Sequence, residues 1–410
     1  MRYIQRDLKS KIIELNKEYS AILITGARQV GKSTLFNDIK DELKSEREVV
    51  TLDDLEDRAL AKNDPAMFLQ IHEPPVLIDE VQYAPELFSY IKIAIDKGAA
   101  PGSFWLTGSQ SFKLMDLAQE SLAGRIAVLR LPTLSQHEIC GKGNATPFTI
   151  DLGEIKKRKE THAPASMQEL YERIWNGSMP GLISGRFSDR DIYYSSYMQT
   201  YIERDVSDLI QGVDKLLFQD FIRSAAARIG EVLNIHSIAN DVGINDDTAK
   251  RWLQVLEKSE IITLLRPYSN NALHRTIKTP KLYFFDTGLV AYLTKYSSPE
   301  ILENGAIAGH ILENYVVMEI IKTYKNAAKD CLFWYYRDKD SKEVDMILES
   351  NGALHPIEIK RSVNPRTELV DAFNVLDKAT TPRGAGAIIC MRPELSAVDS
   401  YNLIIPIWYI

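Results

Sequence analysis

Cysteine is scarce in this chain, with three in 410 residues. Cys140, Cys331 and Cys390 lie far apart and show no metal-ligand spacing, which excludes a disulfide scaffold and a cysteine-based zinc site and suits a reducing compartment. Long apolar runs are missing too: none approaches the roughly 18 residues of a membrane helix, so no membrane partner is expected. The N-terminus, Met1-Arg-Tyr-Ile-Gln-Arg-Asp, lacks the apolar core of a signal peptide, and a cytoplasmic location follows as the expectation. Positive charge is not in excess. With 49 Lys and Arg against 56 Asp and Glu the net charge is −7, which excludes a uniformly basic nucleic-acid coat but leaves room for a basic face on one domain. The length exceeds what one hydrophobic core organises, so several domains are expected.

What is present is concentrated in Ala21-Ile-Leu-Ile-Thr-Gly-Ala-Arg-Gln-Val-Gly-Lys-Ser-Thr-Leu35, an apolar strand running through a glycine-framed turn into a helix. Gly26 and Gly31 bracket four residues ahead of Lys32 and Ser33, completing the phosphate-loop pattern. The glycines let the backbone of Gly26, Ala27, Arg28, Gln29, Val30 and Gly31 wrap a polyphosphate, and the new helix, opening at Lys32, Ser33 and Thr34, turns its unpaired N–H groups toward it. Lys32 is expected on the β- and γ-phosphates and Ser33 on Mg²⁺.

Downstream, Val76-Leu-Ile-Asp-Glu80 is a buried-type strand that stops at two carboxylates. Asp79 is the expected Mg²⁺ carboxylate and Glu80 the base that deprotonates water; a strand ending in an acidic turn is the plain alternative. Ser103-Phe-Trp-Leu-Thr107 is the next strand, ending in Gly108-Ser109-Gln110, where Ser109 or Gln110 is a candidate γ-phosphate sensor or else a helix cap. Arg125 stands before the strand Ile126 to Leu131, either as an arginine acting on a neighbouring subunit's nucleotide or as half of a surface salt bridge.

Taken together, Thr25-Gly-Ala-Arg-Gln-Val-Gly-Lys-Ser-Thr34, Leu77-Ile-Asp-Glu-Val-Gln82, Thr107-Gly-Ser109 and Ser121-Leu-Ala-Gly-Arg125 resemble the AAA+ ATPases, and within them prokaryotic ATPases that end in a domain of unknown function. The resemblance implies ATP rather than GTP as cofactor, with Mg²⁺, and a helical lid after the nucleotide core. A homo-oligomer is expected, since the role considered for Arg125 needs a neighbouring subunit. The absence of a guanine-reading N-K-x-D element agrees with ATP. Glu80, Arg125 and Lys32 are then the expected catalytic residues.

From Gly141 to about Met167 the chain turns polar, and the run Lys156-Lys-Arg-Lys-Glu160 reads as a solvated excursion. A long helix is expected from about Asp189 to Ile210, with Arg204 as a candidate lid arginine or a partner of Asp208. Helices at Leu217–Ile229, Asn234–Val242 and Asn245–Lys258 have helix-turn-helix spacing about Gly243. Two strands follow, around a polar tip that contains Asn270, Asn271, His274, Arg275 and Lys278, and together these make a winged helix. DNA is a candidate partner through Lys250, Arg251 and the wing cations. Asp246 and Asp247 at the reading end favour a protein partner instead.

The last segment opens with a helix carrying Glu313, followed by strands containing Asp345, Glu358 and Lys360. Period-two alternation puts Glu358 and Lys360 on one face. An Asp followed by E-x-K in helix-strand-strand-strand order is similar to the restriction-endonuclease-like PD-(D/E)xK fold, in which two carboxylates hold Mg²⁺ and the lysine assists. Exposed strands also carry such charges by chance, and domains of this fold often do not cut. The fold class expected is α/β: a phosphate-loop AAA+ core with a parallel sheet (1–140), a helical lid (141–213), a winged helix (214–298) and a PD-(D/E)xK-like domain (299–410). The functions in competition are an ATP-driven DNA-processing enzyme and a nucleotide-gated switch or scaffold that binds a protein partner.

Overall fold

The computed structural model describes residues 2–109, 114, 121–141, 146–161, 164–202, 214–269, 279–338 and 342–410. The expected sensor alternative Gln110, the lid candidate Arg204 with Asp208, and the wing-tip residues Asn270, Asn271, His274, Arg275 and Lys278 lie outside them.

Five short strands, β1 (Ala21–Thr25), β2 (Glu48–Thr51), β3 (Val76–Asp79), β4 (Phe104–Gly108) and β5 (Ile126–Arg130), form a parallel sheet in the order β2-β3-β4-β1-β5. β1 and β4 are buried throughout, as their unbroken apolar runs require when helices cover both faces. One core contains Leu23, Ile78, Phe88 and Leu106, and the other Ile22, Ile24, Phe36 and Trp105. Because all five strands are parallel, the loops after β1, β3 and β4 open on one edge of the sheet. That edge therefore collects the residues singled out at the strand ends.

The middle is helical, and one expectation is corrected there. The polar stretch after Gly141 is not an excursion: helix Leu152–Thr161 docks with Phe148, Ile150 and Ile155 buried. Arg158 of its charge run is buried at 7% exposure and donates to the Thr146 and Tyr409 carbonyls. Its aliphatic stem suits an interior position once the guanidinium finds acceptors. Of the helix expected from Asp189 to Ile210, the described part is helix Arg190–Tyr197, continued by a π-helical turn at Met198–Ile202; the rest lies outside the described residues.

Helices Lys215–Ala226, Ile235–Val242 and Asp246–Lys258 pack around Phe218, Phe221 and Trp252, where the Trp252 ring meets both phenylalanines edge-on. Gly243 ends the second helix in the left-handed region, and the Asn245 side chain accepts from Thr248 N at 2.7 Å to start the third.

The hairpin of β6 (Ile262–Pro267) and β7 (Lys281–Phe284) continues into a mixed eight-stranded sheet with β8 (Leu332–Arg337), β9 (Glu343–Ser350), β10 (Ala353–Ile359), β11 (Gly386–Cys390), β12 (Ser396–Ala397) and β13 (Asn402–Pro406). The order is β12-β13-β11-β10-β9-β8-β6-β7. β8, β9 and β10 are an antiparallel meander, and β6 joins it by parallel pairing of Arg266 with Trp334 and Pro267 with Tyr335. Helix Ala308–Asn326 lies in the large core that the helices and this sheet share.

Candidate active site

The phosphate loop follows β1 directly. Gly26 has a positive φ, and a Cβ there would fall 2.3 Å from the Leu131 carbonyl oxygen, so only glycine fits. Gly31, also at positive φ, starts helix Lys32–Glu42. Lys32 is buried at 6% exposure, and its ammonium donates to the Gly26 and Ala27 carbonyls at 3.1 and 2.9 Å across the loop. Burial lowers its pKa, while Glu80 and Asp79 oppose that shift. Among the described residues its hydrogen-bond partners are these two carbonyls, an arrangement suited to a polyanion.

Ser33 Oγ donates to Asp79 Oδ1 at 2.6 Å, and Thr107 Oγ1 donates to the same oxygen. Three oxygen-bearing side chains, Ser33, Asp79 and Thr107, thus meet where the loop faces the end of β3. Hard oxygen donors of this kind suit Mg²⁺, so the residues fit the ion. Glu80 takes a left-handed φ of 58°, which turns its carboxylate away from the direction of β3. There Gln82 Nε2 donates to Glu80 Oε2, and Ser109 Oγ donates to it at 3.3 Å. Ser109 and Gln82 are themselves joined at 3.2 Å.

A cavity of about 300 Å³ extends from this centre. Beyond the loop it is walled by Tyr3 and Ile4 of the N-terminal segment and by Pro180, Arg186 and Phe187 of the helical region. Arg125, by contrast, stands at the start of β5, where the register pairs Ile126 with Ala21. Four residues of strand separate that level from Thr25, so Arg125 lies on the order of 15 Å from its own phosphate loop. Its Nε pairs with Asp96 at 2.6 Å on the surface.

The second predicted group converges as well. Asp345 on β9 accepts from the Ile359 backbone N–H at 2.9 Å and lies 3.4 Å from the Lys360 ammonium, which touches Glu358 at 2.5 Å. Glu313 projects from helix Ala308–Asn326 into the same cluster. Its nearest partners, however, are Lys281 at 3.0 Å and the Tyr283 hydroxyl at 2.6 Å, both from β7. Lys281, 2% exposed, also meets Glu343 at 2.5 Å and Asp345 at 3.9 Å.

Burial, reinforced by Asp345, raises Glu313 and Glu358 from the usual 4.5 to about 7. Lys281 is raised despite its burial, because Glu313, Asp345 and Glu343 favour its charge. The carboxylates are thus interleaved with ammoniums. Among the described residues no group of three or more His, Cys, Asp or Glu converges to hold a metal ion.

With this geometry in place, the comparisons with known proteins fall into order along the chain. Residues 18–140 match the family model described as AAA domain. Over these residues the nucleotide core is similar to AAA domains. It is followed by two domains of unknown function, DUF8612 over residues 167–300 and DUF4143 over residues 308–410. An uncharacterized protein of Mycobacterium tuberculosis is 26% identical over 375 residues, spanning 90% of this chain and 77% of its own; one of Mycobacterium bovis matches identically. Among solved structures, the Walker-type ATPase of Pyrococcus abyssi superposes with a TM-score of 0.42 at 17% identity, covering 70% of this chain and 94% of its own. The Holliday junction branch migration motor of Thermotoga maritima does so with a TM-score of 0.33 at 18% identity, covering 63% and 89%. Among the described residues no helix is long and apolar enough to cross a membrane.

Several groups at these two centres go beyond the site residues expected from the sequence. Arg186 lines the AAA domain's cavity from the helical region, where Arg204 had been the candidate. Thr107 bonds Asp79, and its signal was a hydroxyl at the end of an apolar strand. Lys281 and Tyr283 join the C-terminal cluster; their signal was period-two spacing on one strand, which puts both on one face.

Proposed function

We propose that this chain binds ATP with Mg²⁺ and hydrolyses it in the AAA domain. The observation that carries this reading is the Ser33–Asp79 contact at 2.6 Å, with Lys32 and Glu80 beside it. Lys32 leaves the Gly26 and Ala27 carbonyls to bind the β- and γ-phosphates, and the loop N–H groups take the remaining oxygens. Ser33 and Asp79 would hold Mg²⁺, which would neutralise charge on the phosphates. Glu80, aimed by Gln82 and Ser109, takes the proton of the attacking water. Tyr3, Ile4, Pro180 and Phe187 enclose the nucleoside. Titration calorimetry with Mg-ATP tests this: wild type binds and Lys32→Ala does not, and equal binding by the two ends the proposal.

Arg125 is too far from its own loop to act there, which supports a homo-oligomer in which it serves a neighbour's nucleotide. For the output we propose that the helix-turn-helix and hairpin form a winged helix and that the C-terminal sheet has the PD-(D/E)xK-like order. DNA is the candidate substrate of the first reading. The second reading, a nucleotide-gated switch that binds a protein partner, is favoured by Lys281, which neutralises the carboxylates a cleaving site would leave open. Asp246 paired with His236 and Asp247 paired with Lys250 at the reading end favour it too. Plasmid cleavage with Mg²⁺ or Mn²⁺ that is lost in Lys360→Ala would restore the first.

A further inference from the structure

Arg6 lies in the N-terminal segment, outside every motif, yet it is 4% exposed and lines the nucleotide cavity beside Val30 and Gly31. Its guanidinium holds three acceptors at once. Nη1 donates to the Val30 carbonyl at 2.7 Å, Nη2 to the Pro132 carbonyl at 2.7 Å, and Nε to Glu138 Oε1 at 2.9 Å. The Glu138 carboxylate is fixed in turn: Oε1 accepts from Asp7 N at 2.9 Å and Oε2 from Ser135 N at 2.8 Å. A planar fork with both ends anchored defines a direction as well as a contact.

That direction bears on the phosphate loop. The Val30–Gly31 peptide is planar and trans, so its carbonyl and the Gly31 N–H point opposite ways. A guanidinium holding the carbonyl therefore sets where that N–H points. Gly31 has a φ of 93°, and the lack of a Cβ gives this peptide rotational freedom that must be restrained from outside. We propose that Arg6 is a positioning residue for ATP. By capping the Val30 carbonyl it locks the Val30–Gly31 peptide with the Gly31 N–H turned to the phosphates.

The clamp has a second end. Gln136 N donates to Glu319 Oε2 at 2.7 Å, and Lys322 Nζ donates to the Leu134 carbonyl at 2.9 Å. The segment that anchors Arg6 is thus itself held by helix Ala308–Asn326, the helix that carries Glu313. This inference rests on the ATP reading above, and its consequence is specific. An N–H that meets phosphate in both the ground and transition states contributes uniform binding, so its loss raises KM and leaves kcat nearly unchanged.

The test compares wild type, Arg6→Gln, Arg6→Lys and Lys32→Ala by ATP titration calorimetry and steady-state hydrolysis, with thermal melting alongside. Arg6→Gln, a shorter neutral side chain that keeps an amide donor, is expected to raise the ATP Kd and KM about tenfold with kcat within about threefold. Arg6→Lys, a single-point donor, is expected to recover part of that loss. Should Arg6→Gln not fold, Arg6→Lys carries the measurement, with a KM between wild type and the tenfold mark. A folded variant whose KM is that of wild type overturns the inference, as does a lowered kcat at unchanged KM. A merely structural anchor would lower the melting temperature without moving KM. Wild type that fails to bind ATP, or Lys32→Ala that binds it, sinks the ATP reading and this inference with it, whereas binding by wild type with no Arg6 effect sinks this inference alone.

Discussion

Lys281, the first residue of β7, sets its ammonium 3.0 Å from the carboxylate of Glu313 on helix Ala308–Asn326, ties a hairpin strand to the C-terminal sheet's carboxylates, and is 2% exposed. Removing one partner of a buried ionic network leaves uncompensated charge and costs about 3–5 kcal/mol. Lys281→Met is therefore expected to lower the unfolding free energy by that order in urea titrations. Adding Glu313→Gln and Glu343→Gln should return part of it. A Lys281→Met variant as stable as wild type would show that the cluster is not a structural knot.

The same cluster makes stability depend on pH. Glu313 and Glu358 are raised from 4.5 to about 7 by burial and by Asp345. Between those values the folded chain holds protons that the unfolded chain has released. The stabilisation is thus complete below about pH 4.5 and is lost as pH rises through about 7. Lys281 and Lys360 stay charged across this window, their pKa values being raised. Denaturation midpoints measured at several pH values should show this fall, and Glu313→Gln with Glu358→Gln should flatten it.

Glu80→Gln removes the proposed base and keeps its size. Turnover should drop by about 10²–10⁴ while ATP affinity holds, as read by phosphate release and calorimetry. Ser109→Ala removes one of two side-chain donors to Glu80 Oε2. A smaller loss of turnover, about tenfold or less, is expected there, and an unchanged rate would remove Ser109 from the mechanism.

Arg125 pairs with Asp96 on the surface, where such pairs contribute about 1 kcal/mol or less. Arg125→Ala should therefore leave the melting temperature nearly unchanged and depress hydrolysis. Mixing it with Lys32→Ala subunits should recover activity, since each supplies what the other lacks. Asp96→Ala is the control and should hydrolyse ATP normally. Wild-type turnover in Arg125→Ala leaves that arginine as a surface ion pair.

The nucleotide core was legible because its chemistry is local. Gly26 to Thr34 lie on one continuous turn, Asp79 and Glu80 end one strand, and Thr107 and Ser109 end another, so parallel pairing alone brings them to one edge. The charge run around Arg158 was misread for the opposite reason. Whether an arginine faces water depends on acceptors elsewhere in the chain, here the carbonyls of Thr146 and Tyr409.

The sequence alone determined the phosphate loop and its two acidic partners, and the meander that presents Asp345, Glu358 and Lys360, because backbone geometry and strand period act over a few residues. Only the tertiary structure decided that Arg6 grips the Val30 carbonyl, that Arg186 reaches the cavity, and that Lys281 enters the carboxylate cluster. Arg6 and Lys281 are buried charges whose partners lie far away in the chain. Packing, rather than local pattern, selects which distant carbonyl or carboxylate will satisfy them.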